Sequence, residues 1–280
     1  MITIGKIDYK NVLPIYYYFD EEKFKGQLEI VPQVPAQLNR QMREGRIDLG
    51  PISSFAYADN DGAYFILPNL SISSLGQVRS VFLFSKRPLE ELDDAPIALT
   101  SSSATSVALL KIILEKFVQV KPRYGTMAPN LEDMMKEHEA ALLIGDDALL
   151  ASWQKQPYPY VYDLGAEWYK HTGMYMVFAV WALRKEVALE REELLATVYH
   201  AFQDSKLKGQ HNLDPLIREL CSTFGGTPSF WNAYYTGLSY DFDEAHKEGL
   251  EYYYQLAHEL GLLPQASRVQ VWEPKGIAFG

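Results

Sequence analysis

Short apolar runs alternate with amphipathic stretches through the first half of the chain, a pattern that is typical of strand–helix units around a mostly parallel sheet. The strands predicted for a first sheet are Ile2–Ile7, Leu28–Pro32, Arg46–Ile52, Tyr64–Leu67 and Ser80–Ser85. The helices predicted between them are Pro14–Phe19, Pro35–Glu44 and a short segment that follows the third strand and runs through Tyr57. This half of the chain therefore indicates an α/β fold.

The same alternation restarts after a turn-rich segment from Lys86 to Pro96. The strands predicted there are Ile97–Thr100, Lys121–Tyr124, Ala140–Ile144 and Tyr160–Leu164. The helices predicted between them are Val107–Phe117, Leu131–Lys136 and Ala148–Trp153. From about Glu186 onward long helical patterns replace the strands, at Glu192–Lys206, Leu213–Phe224, Ser229–Tyr235 and Asp243–Leu260.

This order of elements predicts two α/β lobes, the second inserted between the sheet of the first lobe and the terminal helices that cover that sheet. We expect residues 1–86 and 184–280 to form the first lobe and residues 87–183 the second. Two strand-like crossings, Ser80–Ser85 outward and Val177–Leu183 on the return, would form the hinge. Ligands of such folds bind between the lobes, where strands end and helices begin, so the strand-to-helix junctions are the candidate sites.

The charge balance excludes one class of function. The 280 residues carry 36 acidic and 26 basic side chains, a formal net charge of −10, and no basic run is longer than two residues. Nucleic-acid binding needs clustered positive charge, so no nucleic-acid partner is expected. The same net charge repels a small anionic ligand at long range.

Cysteine usage and hydropathy favour a cytoplasmic protein. Cys221 is the only cysteine, which excludes an intramolecular disulfide and any metal centre built from several thiolates of one chain. The longest uncharged apolar stretch, Met174–Leu183, is too short to cross a bilayer. The N-terminus begins directly with a strand pattern rather than with a basic flank and an apolar core. We therefore expect no membrane partner.

A dense run of hydroxyl side chains, Thr100–Ser106, lies between a predicted strand and a predicted helix. Ser103, Thr105 and Ser106 could converge there with the free N–H groups of the helix, whose dipole favours a carboxylate or a phosphate. The alternative interpretation is that one serine merely caps the helix. The run therefore predicts an anion site with a structural alternative.

A second hydroxyl pair, Ser53 and Ser54, follows the predicted third strand. Taken alone, this pair is slightly better explained as a plain helix cap. Because the two hydroxyl-rich junctions belong to opposite lobes, however, a small molecule with two anionic groups could bridge them.

Two further junctions carry amide and carboxylate groups. Asn11 lies where the first strand leads into the first helix, and its amide could cap the turn or meet a ligand. Asp146 and Asp147 follow the buried run at Ala140–Ile144, where an ordinary helix cap is a better explanation than a catalytic carboxylate.

Several familiar chemistries leave no motif in the chain. It has no phosphate loop, no dinucleotide-binding glycine fingerprint, no Gly-x-Ser-x-Gly elbow and no His-Glu-x-x-His zinc motif. The tyrosine clusters Tyr16–Tyr18 and Tyr252–Tyr254 are consecutive, which indicates packing in different directions on helices rather than a stacking platform. These absences disfavour the phosphate-loop, dinucleotide, serine-hydrolase and zinc chemistries that the motifs would indicate.

Several ordered segments of this chain together resemble one family. They are Asp8–Pro14, Gly50–Tyr57, Ser71–Val78, Ala98–Val107, Leu143–Asp146, Asp163–Gly165, Thr172–Gly173 and Phe178–Trp181. The resemblance is to the chorismate dehydratase family of the futalosine route to menaquinone, and it spans nearly the whole chain. One departure is Met174-Tyr175, where the family often has Leu-Pro, and it concerns loop shape.

The resemblance implies a two-lobed type II periplasmic-binding-protein fold used as a cofactor-free enzyme that removes water from chorismate. It implies that Asn11 is catalytic, and that Ser80, on the outgoing crossing, lies between the hydroxyl-rich helix starts that hold the two carboxylates. Asp146 is expected to bind substrate, and it is the only nearby acid that could act as the base. The hypothesis, however, is that the substrate's own enolpyruvyl carboxylate removes the proton.

Two alternatives remain open. One is a non-catalytic solute-binding protein for a small carboxylate, against which the missing export signal counts. The other is the sister enzyme 1,4-dihydroxy-6-naphthoate synthase, against which Gly145-Asp146 counts, because that family carries a histidine there. The oligomeric state is open as well: Trp231, Tyr234 and Tyr235 could form a subunit interface, although a role in covering the first sheet is favoured.

Overall fold

Ten strands form two five-stranded sheets in residues 1–60, 62–155 and 157–273, which the computed structural model describes. The first sheet has the order β2-β1-β3-β10-β4, and its strands are β1 (Ile2–Ile7), β2 (Leu28–Gln33), β3 (Leu49–Ser53), β4 (Tyr64–Ser74) and β10 (Met176–Arg184). The second has the order β7-β6-β8-β5-β9, and its strands are β5 (Val81–Ser85), β6 (Pro96–Thr100), β7 (Arg123–Met127), β8 (Ala140–Ile144) and β9 (Tyr160–Asp163).

Each sheet combines a parallel part with antiparallel strands. In the first sheet, β1 pairs in parallel with β2 and β3, and β10 runs antiparallel between β3 and β4. In the second, β6 pairs in parallel with β7 and β8, and β5 runs antiparallel between β8 and β9. The parallel strands therefore end at one edge of each sheet, where the helices that follow them begin.

The strand expected at Ser80–Ser85 belongs to the other sheet. The sequence placed it in the first sheet, but β5 pairs with β8 and β9 of the second. The return strand at Val177–Leu183 likewise lies within β10, deep in the first sheet. The pattern shows only that both runs are apolar, and their partners are set by long-range pairing. The chain therefore crosses between the sheets in short segments, at residues 75–80 and 173–175.

Twelve α-helices surround the sheets in the described residues. They are α1 (Leu13–Tyr16), α2 (Pro35–Arg43), α3 (Ser54–Asp59), α4 (Ala104–Ile112), α5 (Leu131–Glu137), α6 (Gly145–Trp153), α7 (Leu164–Thr172), α8 (Lys185–Glu190), α9 (Glu192–His211), α10 (Asp214–Thr223), α11 (Pro228–Gly237) and α12 (Glu244–Glu259). The sequence pattern predicted all of them except α7 and α8. None of these helices combines the length and the apolar character that a membrane crossing requires.

The aromatic residues of the C-terminal helices are buried within the chain. Trp231, Tyr234 and Tyr235 of α11 are each at most 3% exposed, so they pack in the interior as the apolar stripe indicated. On α12, Tyr253 and Tyr254 are fully buried, which confirms the packing role of the tyrosine cluster. Hereafter the first lobe means the first sheet with the helices packed on it, and the second lobe means the second sheet with its helices.

Candidate active site between the two sheets

A cavity lies between the sheets at the strand-to-helix junctions, where the element order predicted a ligand site. The cavity is small and partly open to solvent. The residues lining it in the described part of the chain are Ile7, Tyr9, Asn11, Pro35, Ser53, Ile72, Val78, Ser80, Val81, Ser103, Ser106, Ile144, Gly145, Phe178 and Ala179.

Asn11 brings an unsatisfied amide oxygen to this cavity. It lies in a short 3-10 turn, Lys10–Val12, that leads from β1 into α1. Its Oδ1 atom is buried and accepts no hydrogen bond from any described residue. Buried polar atoms in proteins nearly always have a partner. An Oδ1 left in this state at a cavity wall fits a ligand that donates a hydrogen bond.

Ser53 lines the cavity, and a neighbouring helix fixes its position. Its Oγ accepts the N–H of Ala56 at 3.2 Å, which makes it the N-cap of α3. Asn39 of α2 holds it further, donating from Nδ2 to Ser53 Oγ at 3.1 Å and accepting the Ser53 N–H at 3.0 Å. The sequence carried no specific signal for Asn39, because its role depends on α2 packing beside the end of β3.

Ser103 and Ser106 both reach the cavity from the start of α4. The Oγ of Ser103 caps the helix by accepting the N–H of Ser106 at 3.1 Å. Capping and cavity lining are therefore combined in Ser103, although the sequence presented them as alternatives. The hydroxyl of Ser106 makes no hydrogen bond to the described residues.

Ser54 and Thr105 do not line the cavity. The Oγ of Ser54 donates to the carbonyl oxygen of Val177 at 2.7 Å, inside the first lobe. The Oγ1 of Thr105 accepts the N–H of Phe55 at 3.0 Å, across the interface between the lobes. The N–H groups of Phe55 and Ala56, both in the first turn of α3, are therefore already bonded to protein oxygens. The first turn of α4 has more N–H groups free to bind a ligand.

Ser80 lies on the outgoing crossing, and its own contacts together with those of the two preceding residues hold it at the cavity. Its hydroxyl donates to the carbonyl oxygen of Val78 at 3.4 Å, and its carbonyl oxygen accepts the N–H of Gly145 at 2.8 Å. The carboxylate of Asp163 accepts the N–H groups of Val78 and Arg79 at 3.1 and 2.7 Å. Burial raises the pKa of this Asp163 carboxyl, while the backbone hydrogen bonds oppose the rise.

Asp146 lies beside the cavity without lining it. Its Oδ1 accepts the backbone N–H of Lys10 at 3.1 Å, and its Oδ2 pairs with Lys10 Nζ at 2.9 Å. Both carboxylate oxygens are therefore engaged by one residue of the opposite lobe. The sequence predicted that Asp146 binds substrate or acts as the base. In the structure its carboxylate binds Lys10 instead, and this contact joins the two lobes.

Tyr9 lines the cavity, and its hydroxyl is hydrogen-bonded to Ser102 of the second lobe. Burial raises the pKa of Tyr9 to about 12, so its phenol stays protonated at neutral pH. It is the only titratable side chain among the described lining residues. Tyr9 lies within the first of the resembling segments, but that segment drew attention to Asn11.

One buried histidine has the geometry of a catalytic chain and a structural role. His246 Nε2 lies 2.9 Å from Ser239 Oγ, and His246 Nδ1 lies 2.6 Å from Asp243 Oδ1. Asp243 is the N-cap of α12 and His246 completes a capping box, so these contacts fix a helix start. The cavity between the sheets does not reach them. The described residues also contain no cluster of His, Cys, Asp and Glu suited to a metal ion.

The two sheets and the cleft between them define a two-lobed protein with the periplasmic-binding-protein fold. The periplasmic aliphatic sulphonate binding protein SsuA from Escherichia coli superposes with a TM-score of 0.70 at 14% identity, over 100% of this chain and 94% of that one. A family model described as "Menaquinone biosynthesis" matches residues 2–259. A chorismate dehydratase from Thermus thermophilus is 32% identical over 256 residues, which are 86% of this chain and 90% of that relative. The chain therefore belongs to the chorismate dehydratase family.

A second relative concerns the sister activity. A 1,4-dihydroxy-6-naphtoate synthase from the same organism is 31% identical over 147 residues, but these cover only 52% of either chain. The likeness to the dehydratase is thus the more extensive of the two.

Proposed function

We propose that this protein is a chorismate dehydratase, a carbon–oxygen lyase that eliminates water from chorismate to give 3-(1-carboxyvinyloxy)benzoate in the futalosine route to menaquinone. The observation that carries the proposal is the buried, unpartnered Oδ1 of Asn11 in a cleft lined by serine hydroxyls from both lobes. The family and the relative from Thermus thermophilus support the choice of substrate. The single cysteine supports a cytoplasmic location.

The reaction asks the protein mainly for orientation. Chorismate loses the hydroxyl of one ring carbon and the proton of the neighbouring, ether-bearing carbon, and the ring becomes aromatic. This gain makes elimination strongly favourable, so the cleft has to hold both breaking bonds in a reactive geometry. No electron acceptor and no external nucleophile is required.

Two groups are suited to the ends of the substrate. Asn11 Oδ1 is a hydrogen-bond acceptor, and the ring hydroxyl of chorismate is the donor that matches it. The start of α4, with Ser103 and Ser106, suits one carboxylate through N–H groups, hydroxyls and the helix dipole. Ser53 and Ser80 remain for the rest of the molecule. Ser54 and Thr105 act through structure in this proposal, because their hydroxyls serve other protein groups.

The proton is removed by the substrate's own enolpyruvyl carboxylate in this mechanism. The carboxylic acid so formed passes that proton to the departing ring hydroxyl as the carbon–oxygen bond breaks, so that water leaves and the carboxylate is restored. Tyr9 is protonated at neutral pH and is the only titratable side chain among the described lining residues. Asp146 has both oxygens bound to Lys10 and does not line the cavity. An intramolecular carboxylate beside the reacting carbon has the high effective concentration of a tethered base.

The test is to incubate the purified protein with chorismate and to follow the aromatic product by absorbance and mass. Asn11→Ala should keep its fold and bind chorismate, but turn over about 100- to 1,000-fold more slowly, the usual cost of losing one positioned polar group. Asn60→Ala is the control. Asn60 is the C-cap of α3, its side chain donates to the carbonyl oxygen of Ala56, and it does not line the cavity. Stable binding of chorismate without product would favour the solute-binding alternative, and turnover in Asn11→Ala equal to wild type would contradict the role of Asn11.

We also propose that the chain passes from the first lobe to the second at residues 75–80 and returns at residues 173–175. The first lobe then holds β1–β4 and β10, and the second holds β5–β9. The strand pairing supports these limits. The boundaries expected from the sequence, at 86/87 and 183/184, put β5 in the first lobe and β10 in the second. The proposed limits move β5 to the second lobe and β10 to the first.

A further inference from the structure

We infer that Lys10 and Asp146 form a latch between the lobes that positions Asn11, so that the reactive geometry of the cleft is completed only when the lobes close. This inference rests on the proposed function of the same cleft. Lys10 follows β1 of the first lobe, and Asp146 belongs to α6, which follows β8 of the second. The name latch is kept for this pair of residues.

The latch fixes the backbone on the N-terminal side of Asn11. Asp146 Oδ1 accepts the N–H of Lys10 at 3.1 Å, which holds the peptide group between Tyr9 and Lys10. The hydroxyl of Tyr235 donates to the carbonyl oxygen of Lys10 at 3.0 Å, which holds the next peptide group, the one that leads into Asn11. The two peptide groups on either side of Lys10 are thus held from opposite directions.

The Asp146 restraint depends on the lobes being closed. Tyr235 is on α11, among the C-terminal helices, whereas Asp146 comes from the second lobe. When the lobes separate, the Lys10 N–H and its ammonium group lose Asp146, and the peptide before Asn11 keeps the bonds that Tyr235 and the Leu13 N–H make to the carbonyl oxygen of Lys10. Closure and the placement of the Asn11 amide are therefore coupled through Asp146.

Charge gives the latch a second effect. The side chains of Lys10 and Asp146 are 23% and 19% exposed, so their pairing at 2.9 Å is partly shielded from water. Paired, they present no net charge beside a cleft that receives a dianion. An unpaired Asp146 would repel that dianion, and an unpaired Lys10 would attract it.

Because the two charges act on a dianion in opposite directions, kcat and KM of the latch variants distinguish a role in positioning Asn11 from a role in binding the substrate. Asp146→Asn keeps an acceptor oxygen but loses the charge, and Lys10→Met keeps the length of the side chain but loses the ammonium group. Each should lower kcat by about tenfold, the typical cost of a hydrogen bond to a charged group. KM should rise in Lys10→Met and stay level or fall in Asp146→Asn. The double variant should recover the wild-type KM while its kcat is no lower than that of either single variant.

A matched control removes an ion pair that does not join the lobes. Arg87 and Glu139 pair at 2.9 Å within the second lobe, and Glu139 is about as exposed as Lys10, at 25%. Glu139→Gln should lose a similar amount of thermal stability and keep kcat and KM. Tyr235→Phe removes the bond to the Lys10 carbonyl oxygen and leaves the ion pair in place. It should lower kcat without shifting KM in the direction that Lys10→Met does.

Amide hydrogen exchange of the free protein tests the latch without any substrate. Exchange at residues 9–12 should be faster in Asp146→Asn and Lys10→Met than in wild type and unchanged in Glu139→Gln. Unchanged exchange in both latch variants would overturn the inference even if chorismate proves not to be the substrate. A loss of turnover in Asp146→Asn of several orders of magnitude, with little effect in Lys10→Met, would also overturn it, because it would make Asp146 the base.

Discussion

The Oγ1 of Thr105 in the second lobe accepts the backbone N–H of Phe55 in the first lobe at 3.0 Å, so the starts of α4 and α3 meet across the interface between the lobes. Two neighbouring tyrosines of α12 support the same contact. Tyr253 donates to the carbonyl oxygen of Thr105 at 3.1 Å, and Tyr254 donates to that of Ser54 at 2.8 Å. The Thr105 hydroxyl, which the sequence predicted to bind a ligand, therefore joins two helices.

Thr105→Val removes this acceptor and leaves the N–H of Phe55 without its partner. The free energy of unfolding should fall by about 1–3 kcal/mol, the cost of a buried donor left unsatisfied. KM for chorismate should stay close to wild type, because Thr105 does not line the cavity. Denaturant unfolding and steady-state kinetics measure the two quantities.

Thr197→Val is the control for this substitution, since Thr197 is exposed on α9 and its hydroxyl bonds only to Glu193 O. It should change the stability by less than Thr105→Val does. A clear rise in KM for Thr105→Val at unchanged stability would instead place Thr105 in contact with the substrate.

Tyr9 predicts a specific dependence of stability on pH. Its pKa is about 12 in the folded protein against 10.0 for an unperturbed tyrosine, so above pH 10 the unfolded chain ionises first. The stabilisation from keeping Tyr9 neutral is complete below pH 10 and is lost as the pH rises toward 12, by up to about 2–3 kcal/mol. Tyr9→Phe removes this ionisation.

The measurement is denaturant unfolding of both proteins from pH 8 to about pH 11. At pH 8 the variant should be less stable by about 1 kcal/mol, because it lacks the hydrogen bond to Ser102. The difference should shrink and then reverse above pH 10. A difference that stays constant across this range would contradict the raised pKa of Tyr9.

Gly145 should tolerate no side chain, because Tyr9 lies against it. A Cβ atom at Gly145 would be 2.9 Å from Cε2 of the Tyr9 ring, and the residue has a φ of +60°. Gly145→Ala should therefore displace Tyr9 and lower turnover by about 10- to 100-fold, as expected for misplaced groups near the reacting atoms.

Gly261→Ala is the matched control. Gly261 has a φ of +69°, but nothing lies within 4 Å of the added Cβ, so only the backbone strain is shared. Both variants should lose about 1–2 kcal/mol of stability from that strain, and only Gly145→Ala should lose activity. Full activity of Gly145→Ala would show that Tyr9 can move without consequence for the reaction.

The local pattern predicted most elements of this protein because their signals are local. The fully apolar run Ala140–Ile144 is β8, covered on both faces, and the long amphipathic patterns after residue 190 are helices. β4 extends to Ser74, well past the predicted end at Leu67, because its serines pair with β10. α7 was missed because its start signal, the cap by Asp163, lies inside a predicted strand.

The candidate site shows the same division. The junctions that line the cleft were found from the order of strands and helices, and Asn11, Ser53, Ser80, Ser103 and Ser106 all line it. The pattern did not distinguish these residues from Ser54, Thr105 and Asp146, whose polar groups face protein partners. A hydroxyl beside a helix start looks the same in sequence whether it faces a cavity or another helix.

The sequence by itself determined the α/β class, the two-part organisation and the resemblance to one family, because periodicity and motif order are properties of the chain. Only the tertiary structure decided that β5 and β10 exchange sheets, that Asp146 binds Lys10, and that Tyr9 is a neutral wall of the cleft. These features depend on contacts between residues far apart in the chain, and such contacts form only when the chain folds.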